Sequence, residues 1–216
     1  MKERPTLVKP DEPQNWLLVE GKDDEYVLYN LLEHHNIPER FTIKNKESIT
    51  KLLDTLDVEL ERSGLERLGI IVDADTDLAS RWRSLRKILL DAGYKKLPAS
   101  PHADGTIIHE ADRPVVGIWL MPDNKLPGML EDFISFLVPP SDVLWPIAET
   151  TLQQVIAQDR RFPQAHHMKA HIHTWLAWQE EPGKPLGLAI KAHYLDADAA
   201  HARQFIVWIR QLFDLK

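Results

Sequence analysis

Two hydrophobic, strand-like segments of this chain each end in acidic residues. Residues 16–19 are followed by Glu20 and Asp24, and residues 68–72 are followed by Asp73 and Asp75. Segments with so continuous an apolar run are typical of parallel strands buried on both faces, and open α/β sheets bind ligands beyond the carboxyl ends of such strands. The pattern therefore predicts an α/β sheet with carboxylates gathered at one edge.

Helical and strand-like patterns alternate from the first acidic segment to about residue 140. After the strand at 16–19 they predict a helix over 23–35, a strand over 41–44, a helix capped by Ser48, the strand at 68–72 and a helix over 77–92. A short strand over 106–110, interpreted as an edge, and a longer one over 115–121 follow. This alternation is typical of a mainly parallel sheet with helices on its faces.

The architecture is predicted to change at Pro139-Pro140. These prolines end the helix expected after Gly128, because proline cannot continue a helix. Only helical patterns follow, at about residues 146–158, 165–180 and 199–213. We therefore predict an α/β core over residues 1–140 and a helical C-terminal segment over residues 141–216 that packs on it.

The acidic residues at the strand ends predict a metal site. Several carboxylates at one sheet edge repel each other unless a cation lies between them, and Mg²⁺ or Mn²⁺ suits such oxygen ligands. Glu20 is a candidate metal ligand or general acid/base, and Asp24 lies one helical turn further on. Asp73 and Asp75 are two residues apart, so in an extended strand both side chains point the same way, as two ligands of one ion require. Asp77 is interpreted as the N-cap of the next helix.

The same acids resemble the Toprim domain, which occurs in topoisomerases, bacterial-type primases and OLD-family nucleases. The resemblance covers residues 14–140 and consists of a strand ending in Glu-Gly with an acid four residues after the Glu, then a strand ending in Asp-x-Asp. It implies a Toprim-like, Rossmann-like fold in which Asp73 and Asp75 hold Mg²⁺ with Glu20. It also implies Mg²⁺-dependent phosphodiester cleavage or phosphoryl transfer on DNA or RNA, with two ions about 4 Å apart stabilising the attacking and leaving oxygens.

A further acidic block follows the strand at 115–121. Together with the region around Lys169 and residues 175–178, it resembles an uncharacterised, Toprim-related family labelled DUF3226. This resemblance implies that Asp123, Glu131 or Asp132 completes the acidic site and supports a second ion with Asp24. The alternative is a Pro-Asp-Asn turn followed by the acidic first turn of a helix.

Two lysines are candidates for neutralising a phosphate or a developing negative charge. Lys125 and Lys169 would act as a lysine does in OLD-type nucleases, and the alternative for both is an ordinary solvated side chain. The basic residues that begin with Arg81 on the helix over 77–92 are interpreted as a solvated face.

Two other groups are interpreted without a metal role. His167 and His171 are four residues apart but lack the Glu of a His-Glu-x-x-His motif, which argues against zinc. Asp196 and Asp198 follow no hydrophobic strand and are interpreted as capping the last helix.

Composition limits the functional classes. A net charge of −7 argues against a protein that holds nucleic acid by bulk electrostatics, although bound metal would neutralise part of it. The chain has no cysteine, so disulfides and thiolate zinc sites are excluded. Without an apolar N-terminal region or a membrane-length apolar run, a soluble cytoplasmic protein is expected.

Three functional classes stay open at this level. The first is a metal-dependent nuclease-like enzyme; because no Gly-x-x-x-x-Gly-Lys-Ser/Thr motif occurs, the OLD resemblance implies a separate ATPase partner. The second is a non-catalytic Toprim-fold binding or regulatory module, which the negative charge favours. The third is a metal-dependent phosphatase of a small phosphoester. Phosphatases that also begin with a strand and an Asp-x-Asp motif have Thr at the position that Asp77 occupies here, which argues against this class.

Overall fold

The computed structural model describes residues 14–155 and 159–216. In this part of the chain the strands are β1 (Gln14–Val19), β2 (Thr42–Asn45), β3 (Leu65–Asp73), β4 (Thr106–Ile108) and β5 (Val115–Met121). The helices are α1 (Lys22–His34), α2 (Ile49–Leu60), α3 (Leu78–Asp91), α4 (Leu130–Ser135), α5 (Leu144–Gln153), α6 (His167–Leu176), α7 (Leu186–Lys191) and α8 (Ala200–Phe213), and a 3₁₀ turn covers Gln164–His166.

The strands form a single sheet in the order β2-β1-β3-β5-β4. The neighbours β1–β2, β1–β3 and β3–β5 are parallel, whereas β4 pairs antiparallel with β5 at the edge. The predicted mainly parallel α/β sheet flanked by helices is confirmed, and so is the edge position of β4. β4 ends at Ile108, two residues earlier than predicted.

The sheet has a hydrophobic layer on each face because successive strand residues point to opposite sides. In β1, Leu17 and Val19 pack in the layer that includes α1 and α4 to α8. Leu18, between them, packs with α2 and α3 on the other face. All three side chains are fully buried, which explains why the strand sequence is apolar without alternation.

The C-terminal helices share the hydrophobic layer of β1, β3 and β5 on one face of the sheet. The predicted helices correspond to α5, α6 and α8, although residues 156–158 of the first lie outside the described residues. The patterns missed α7, whose six residues are held by contacts with α1: a Cβ at Gly187 would lie 2.6 Å from the Tyr26 carbonyl oxygen. No helix in residues 14–155 and 159–216 is long and apolar enough to cross a bilayer. The N-terminal region on which the prediction about targeting rests lies before Gln14, outside the described residues.

Two glycines make room for α8 on the sheet. Gly69 of β3 and Gly117 of β5 are directly paired, and an added Cβ would lie 3.1 Å from Leu212 at the first and 2.4 Å from it at the second. Because Leu212 is fully buried, it cannot move aside into solvent. We expect Gly117→Ala to lower the free energy of unfolding by about 1–3 kcal/mol, as overpacking does, measured by urea denaturation.

The matched control for this prediction removes the clashing side chain. In the Leu212→Ala background the same Gly117→Ala change should cost much less, because the added methyl group then occupies the vacated space. Equal costs in both backgrounds would contradict the packing that the structure shows.

Candidate acidic site

The carboxyl ends of the parallel strands meet at one edge of the sheet, and acidic residues collect there. Glu20 directly follows β1, Asp73 ends β3, and the first turns of α1 and α4 carry Asp24 and Glu131. They border a cleft of about 280 Å³. The cleft is lined by Glu20, Gly21, Lys22, Asp23, Asp24, Glu47, Ser48, Asp73, Leu130, Glu131 and Lys169.

Backbone hydrogen bonds hold two of these carboxylates across the strand ends. The Asp73 N–H donates to Glu20 Oε1 at 2.7 Å, which fixes the glutamate of β1 over the end of β3. The Leu130 N–H donates to Asp73 Oδ1 at 2.9 Å, which ties the end of β3 to the start of α4. Each carboxylate still has a second oxygen for another ligand.

Asp24 has one oxygen engaged in the fold and one that is not. Its Oδ2 accepts the Gly21 N–H at 3.1 Å and so satisfies the start of α1. Its Oδ1 is buried and has no hydrogen-bond partner among the residues that the structure describes. An unpaired buried carboxylate oxygen is costly, and a bound cation would remove that cost.

The electrostatics of the cluster favour a positive partner. Burial raises the pKa of Glu20 to about 7, although the hydrogen bond from Asp73 opposes the shift, and burial raises the pKa of Asp24 to about 6. The pKa of Asp73 is raised well above its ordinary value, first by burial and then by the negative charges of Asp24, Glu20 and Glu131. Without a cation these carboxyl groups therefore bind protons more readily than exposed ones do, and a divalent ion would compete with those protons.

Lys169 of α6 supplies a positive charge inside the cleft. Its Nζ lies 2.7 Å from Glu131 Oε1, and Glu131 is only 3% exposed. Burial lowers the pKa of Lys169, but the hydrogen bond and the charge of Glu131 outweigh this effect and the pKa is raised overall. Lys169 is therefore protonated, and its side chain, 46% exposed, is open to a ligand that enters the cleft.

Asp75 departs from the expected extended geometry. β3 ends at Asp73, and Asp75 has a left-handed backbone (φ 52°) whose N–H donates to the Gly128 carbonyl at 2.8 Å. Its half-exposed carboxylate pairs with Arg81, which also donates to the Asp73 carbonyl at 2.9 Å. The interpretation of Arg81 as solvated is wrong, because it is only 14% exposed, whereas Arg83 is 68% exposed.

The other predicted residues are divided between the cleft and local backbone roles. Asp123 is buried, and its Oδ1 accepts two N–H groups of the following turn at 2.8 and 3.0 Å. Asp132 Oδ2 accepts the Met129 N–H at 2.8 Å at the start of α4. Lys125 is exposed on the turn and does not line the cleft. Of the three acids in this block, Glu131 is the one that lines it.

The sequence predictions did not include the residues of the acidic cleft that follow β2. Glu47 and Ser48 follow β2 and line the cleft, and Ser48 also caps α2, as predicted, by accepting the Lys51 N–H at 3.2 Å. The same topological rule would have predicted these two residues, because β2 is parallel to β1 and its carboxyl end therefore lies at the same edge of the sheet.

A larger cleft, of about 490 Å³, lies at the opposite edge, where β1 and β3 begin. Its lining includes Asn15, Arg67 and Asp214, none of which is buried. Since that cleft gathers no buried titratable groups in the part of the chain that the structure describes, the smaller acidic cleft is the candidate functional site.

Two predicted helix caps have different outcomes. Asp77 caps α3 as predicted, accepting the Ser80 N–H at 2.9 Å. The cap predicted for the last helix is wrong, because α8 begins after Ala199 and no side chain of the described residues accepts a capping hydrogen bond there. Asp198 instead lies 3.1 Å from His34 Nε2 at the far end of α1.

The chain matches a protein family along most of its length. A family model described as "Protein of unknown function (DUF3226)" matches residues 14–214, which include both the sheet and the C-terminal helices. No curated protein and no solved structure matches the chain significantly.

Proposed function

The chain belongs to the DUF3226 family, and we propose that it is a Toprim-like, Mg²⁺- or Mn²⁺-dependent enzyme that cleaves or transfers phosphodiesters of nucleic acid. The observation that carries this proposal is the convergence of Glu20, Asp24, Asp73 and Glu131 in one cleft, where one buried carboxylate oxygen lacks a partner within residues 14–155 and 159–216. So many carboxylates around one space are the donor set that a hard divalent cation prefers.

The carboxylates of the acidic cleft are suited to hold one or two divalent ions. Glu20 and Asp73 would hold one, and Asp24 with Glu131 would support a second. Asp75 stays a predicted ligand; its charge acts on Glu20 and Asp73, and Arg81 pairs with it in this structure. When bound, such ions polarise a phosphoryl oxygen and lower the pKa of water.

Two side chains have further roles in the proposed reaction. In the ion-free cleft the pKa of Glu20 is about 7, so Glu20 would accept a proton from an attacking water near neutral pH if Asp73 held the ion without it. Protonated Lys169 would lie against the phosphate and offset its charge, as lysine does in the OLD-type nucleases that this site resembles. The resemblance also suggests a separate ATPase as partner.

The charge distribution of the protein supports contact with a short stretch of the nucleic-acid backbone rather than a long one. The net charge is −7, and the lysines Lys22 and Lys169 line the acidic cleft itself. We therefore expect few phosphate contacts and a shallow dependence of binding on salt concentration.

The proposal is tested by cleavage of supercoiled plasmid, single-stranded DNA and RNA with Mg²⁺, with Mn²⁺ and with EDTA. Cutting that requires metal would support it. Metal-dependent release of phosphate from p-nitrophenyl phosphate without any cutting would favour a phosphatase of small esters, which the 280 Å³ cleft also fits. Neither activity would favour a non-catalytic binding module, for which the negative charge argues.

Lys169→Met should lower metal-dependent cleavage about 10- to 100-fold, the effect typical of losing a group that orients a metal ligand. The physical reason is that Lys169 pairs with Glu131, and the substitution leaves the Glu131 carboxylate without this partner. The matched control is Lys191→Met, because Lys191 makes an exposed pair with Glu33 at 3.3 Å. Initial cleavage rates check the prediction, and equal rates for Lys169→Met and wild type would contradict the assigned role.

A further inference from the structure

A second cluster of ligand-type side chains lies at the other end of α1. It consists of His34 and His35 at the end of that helix and of Asp198 just before α8. The 13-residue helix α1 places the cluster about 20 Å from the acidic cleft, because an α-helix rises about 1.5 Å per residue. The two sites therefore share no residues.

The three side chains are close enough to share one ion. Each offers a ligand atom, and these atoms all lie within 4.8 Å of one another. His34 Nε2 is 3.1 Å from Asp198 Oδ2. Around a tetrahedral ion with bonds of about 2.0–2.1 Å, neighbouring ligand atoms are about 3.3 Å apart, so this pair is almost at the required separation.

Neighbouring groups hold the cluster in place. His35 Nε2 lies 2.8 Å from the Ala197 carbonyl oxygen, a contact of the type that orients metal-binding histidines. Asp196 Oδ1 accepts the Asp198 N–H at 2.9 Å and so fixes the loop that carries the carboxylate. These contacts explain the Asp-Ala-Asp sequence better than a helix cap does.

We propose that His34, His35 and Asp198 bind a transition-metal ion of the Zn²⁺ type and thereby join the end of α1 to the start of α8. Two imidazoles and one carboxylate suit Zn²⁺ rather than Mg²⁺, which prefers oxygen ligands alone. The side chains of His34 and Asp198 are 32% and 59% exposed, so an ion can enter and keep water as a fourth ligand.

The test is titration of the full chain with Zn²⁺ by calorimetry, with excess Mg²⁺ present to fill the acidic cleft. We expect one equivalent of Zn²⁺ to bind, and we expect His34→Ala and Asp198→Asn each to weaken binding at least about 10-fold. His109→Ala is the control, because His109 is an exposed histidine outside the cluster and should leave the affinity unchanged.

A second measurement separates this site from the acidic one and from misfolding. Zn²⁺ should raise the melting temperature of wild type and of Asp73→Asn, but not that of Asp198→Asn, whose circular dichroism in EDTA should match wild type. No binding by wild type, or equal binding by wild type and Asp198→Asn, would overturn the proposal and identify His34 and Asp198 as a simple surface ion pair.

Discussion

Asp73→Asn is expected to lower metal-dependent cleavage on the order of 1,000-fold while the fold stays intact. Asparagine keeps an oxygen in the position of Oδ1, which accepts the Leu130 N–H at 2.9 Å, so the link between β3 and α4 is preserved. What the change removes is the negative charge at the centre of the cluster. In EDTA the variant should be at least as stable as wild type, since burial and the neighbouring carboxylates disfavour a negative charge at this position.

The matched control is Asp77→Asn, four residues along the same segment. Asp77 caps α3, and asparagine is an equally good N-cap, so cleavage and stability should both be close to wild type. Cleavage rates and urea denaturation of the two variants would be measured side by side. Undiminished cleavage by Asp73→Asn would show that the acidic cleft is not the site of the reaction.

The centre of the site was predictable because its residues stand directly at strand ends. Glu20 and Asp73 follow buried apolar runs, and the parallel order of β1 and β3 brings such positions to one edge. Asp24 was predictable for a related reason, since helical spacing returns it towards Glu20. These positions depend on local patterns and on one topological rule.

The rest of the site depends on turn geometry and on contacts between distant segments. Asp75 turns away from the expected direction because its N–H pairs with the carbonyl of Gly128, a residue far away in the sequence. Lys169 reaches Glu131 because α6 packs beside α4, and no spacing in the sequence specifies that contact. Asp198 pairs with His34 across most of the chain length. Such long-range pairings are set by packing, which sequence periodicity does not describe.

In EDTA, the stability of the protein should fall as pH rises from about 4 to about 7. Burial raises the pKa of Glu20 from 4.5 to about 7 and that of Asp24 from 3.8 to about 6, so the folded state binds more protons than the unfolded state in this window. The free energy of unfolding therefore decreases with pH there, and the contribution of Glu20 is lost as the pH rises through its pKa of about 7. For two coupled, partly solvated groups we expect a loss of about 2–4 kcal/mol.

Mg²⁺ should reverse this trend, because protons and the ion compete for the same carboxylates. Urea denaturation at pH 5, 6, 7 and 8, with EDTA and with Mg²⁺, would measure both effects, and the stabilisation by Mg²⁺ should be greatest at pH 8. The control is the double variant Glu20→Gln, Asp24→Asn, whose stability in EDTA should change much less across the window. Carboxylates whose pKa is lowered in the folded state, such as Asp198, lose their contribution to stability only at pH values below this window. They therefore do not mask the trend. If wild type and the double variant show the same pH dependence, the acidic cleft does not carry the buried negative charge on which its proposed metal binding rests.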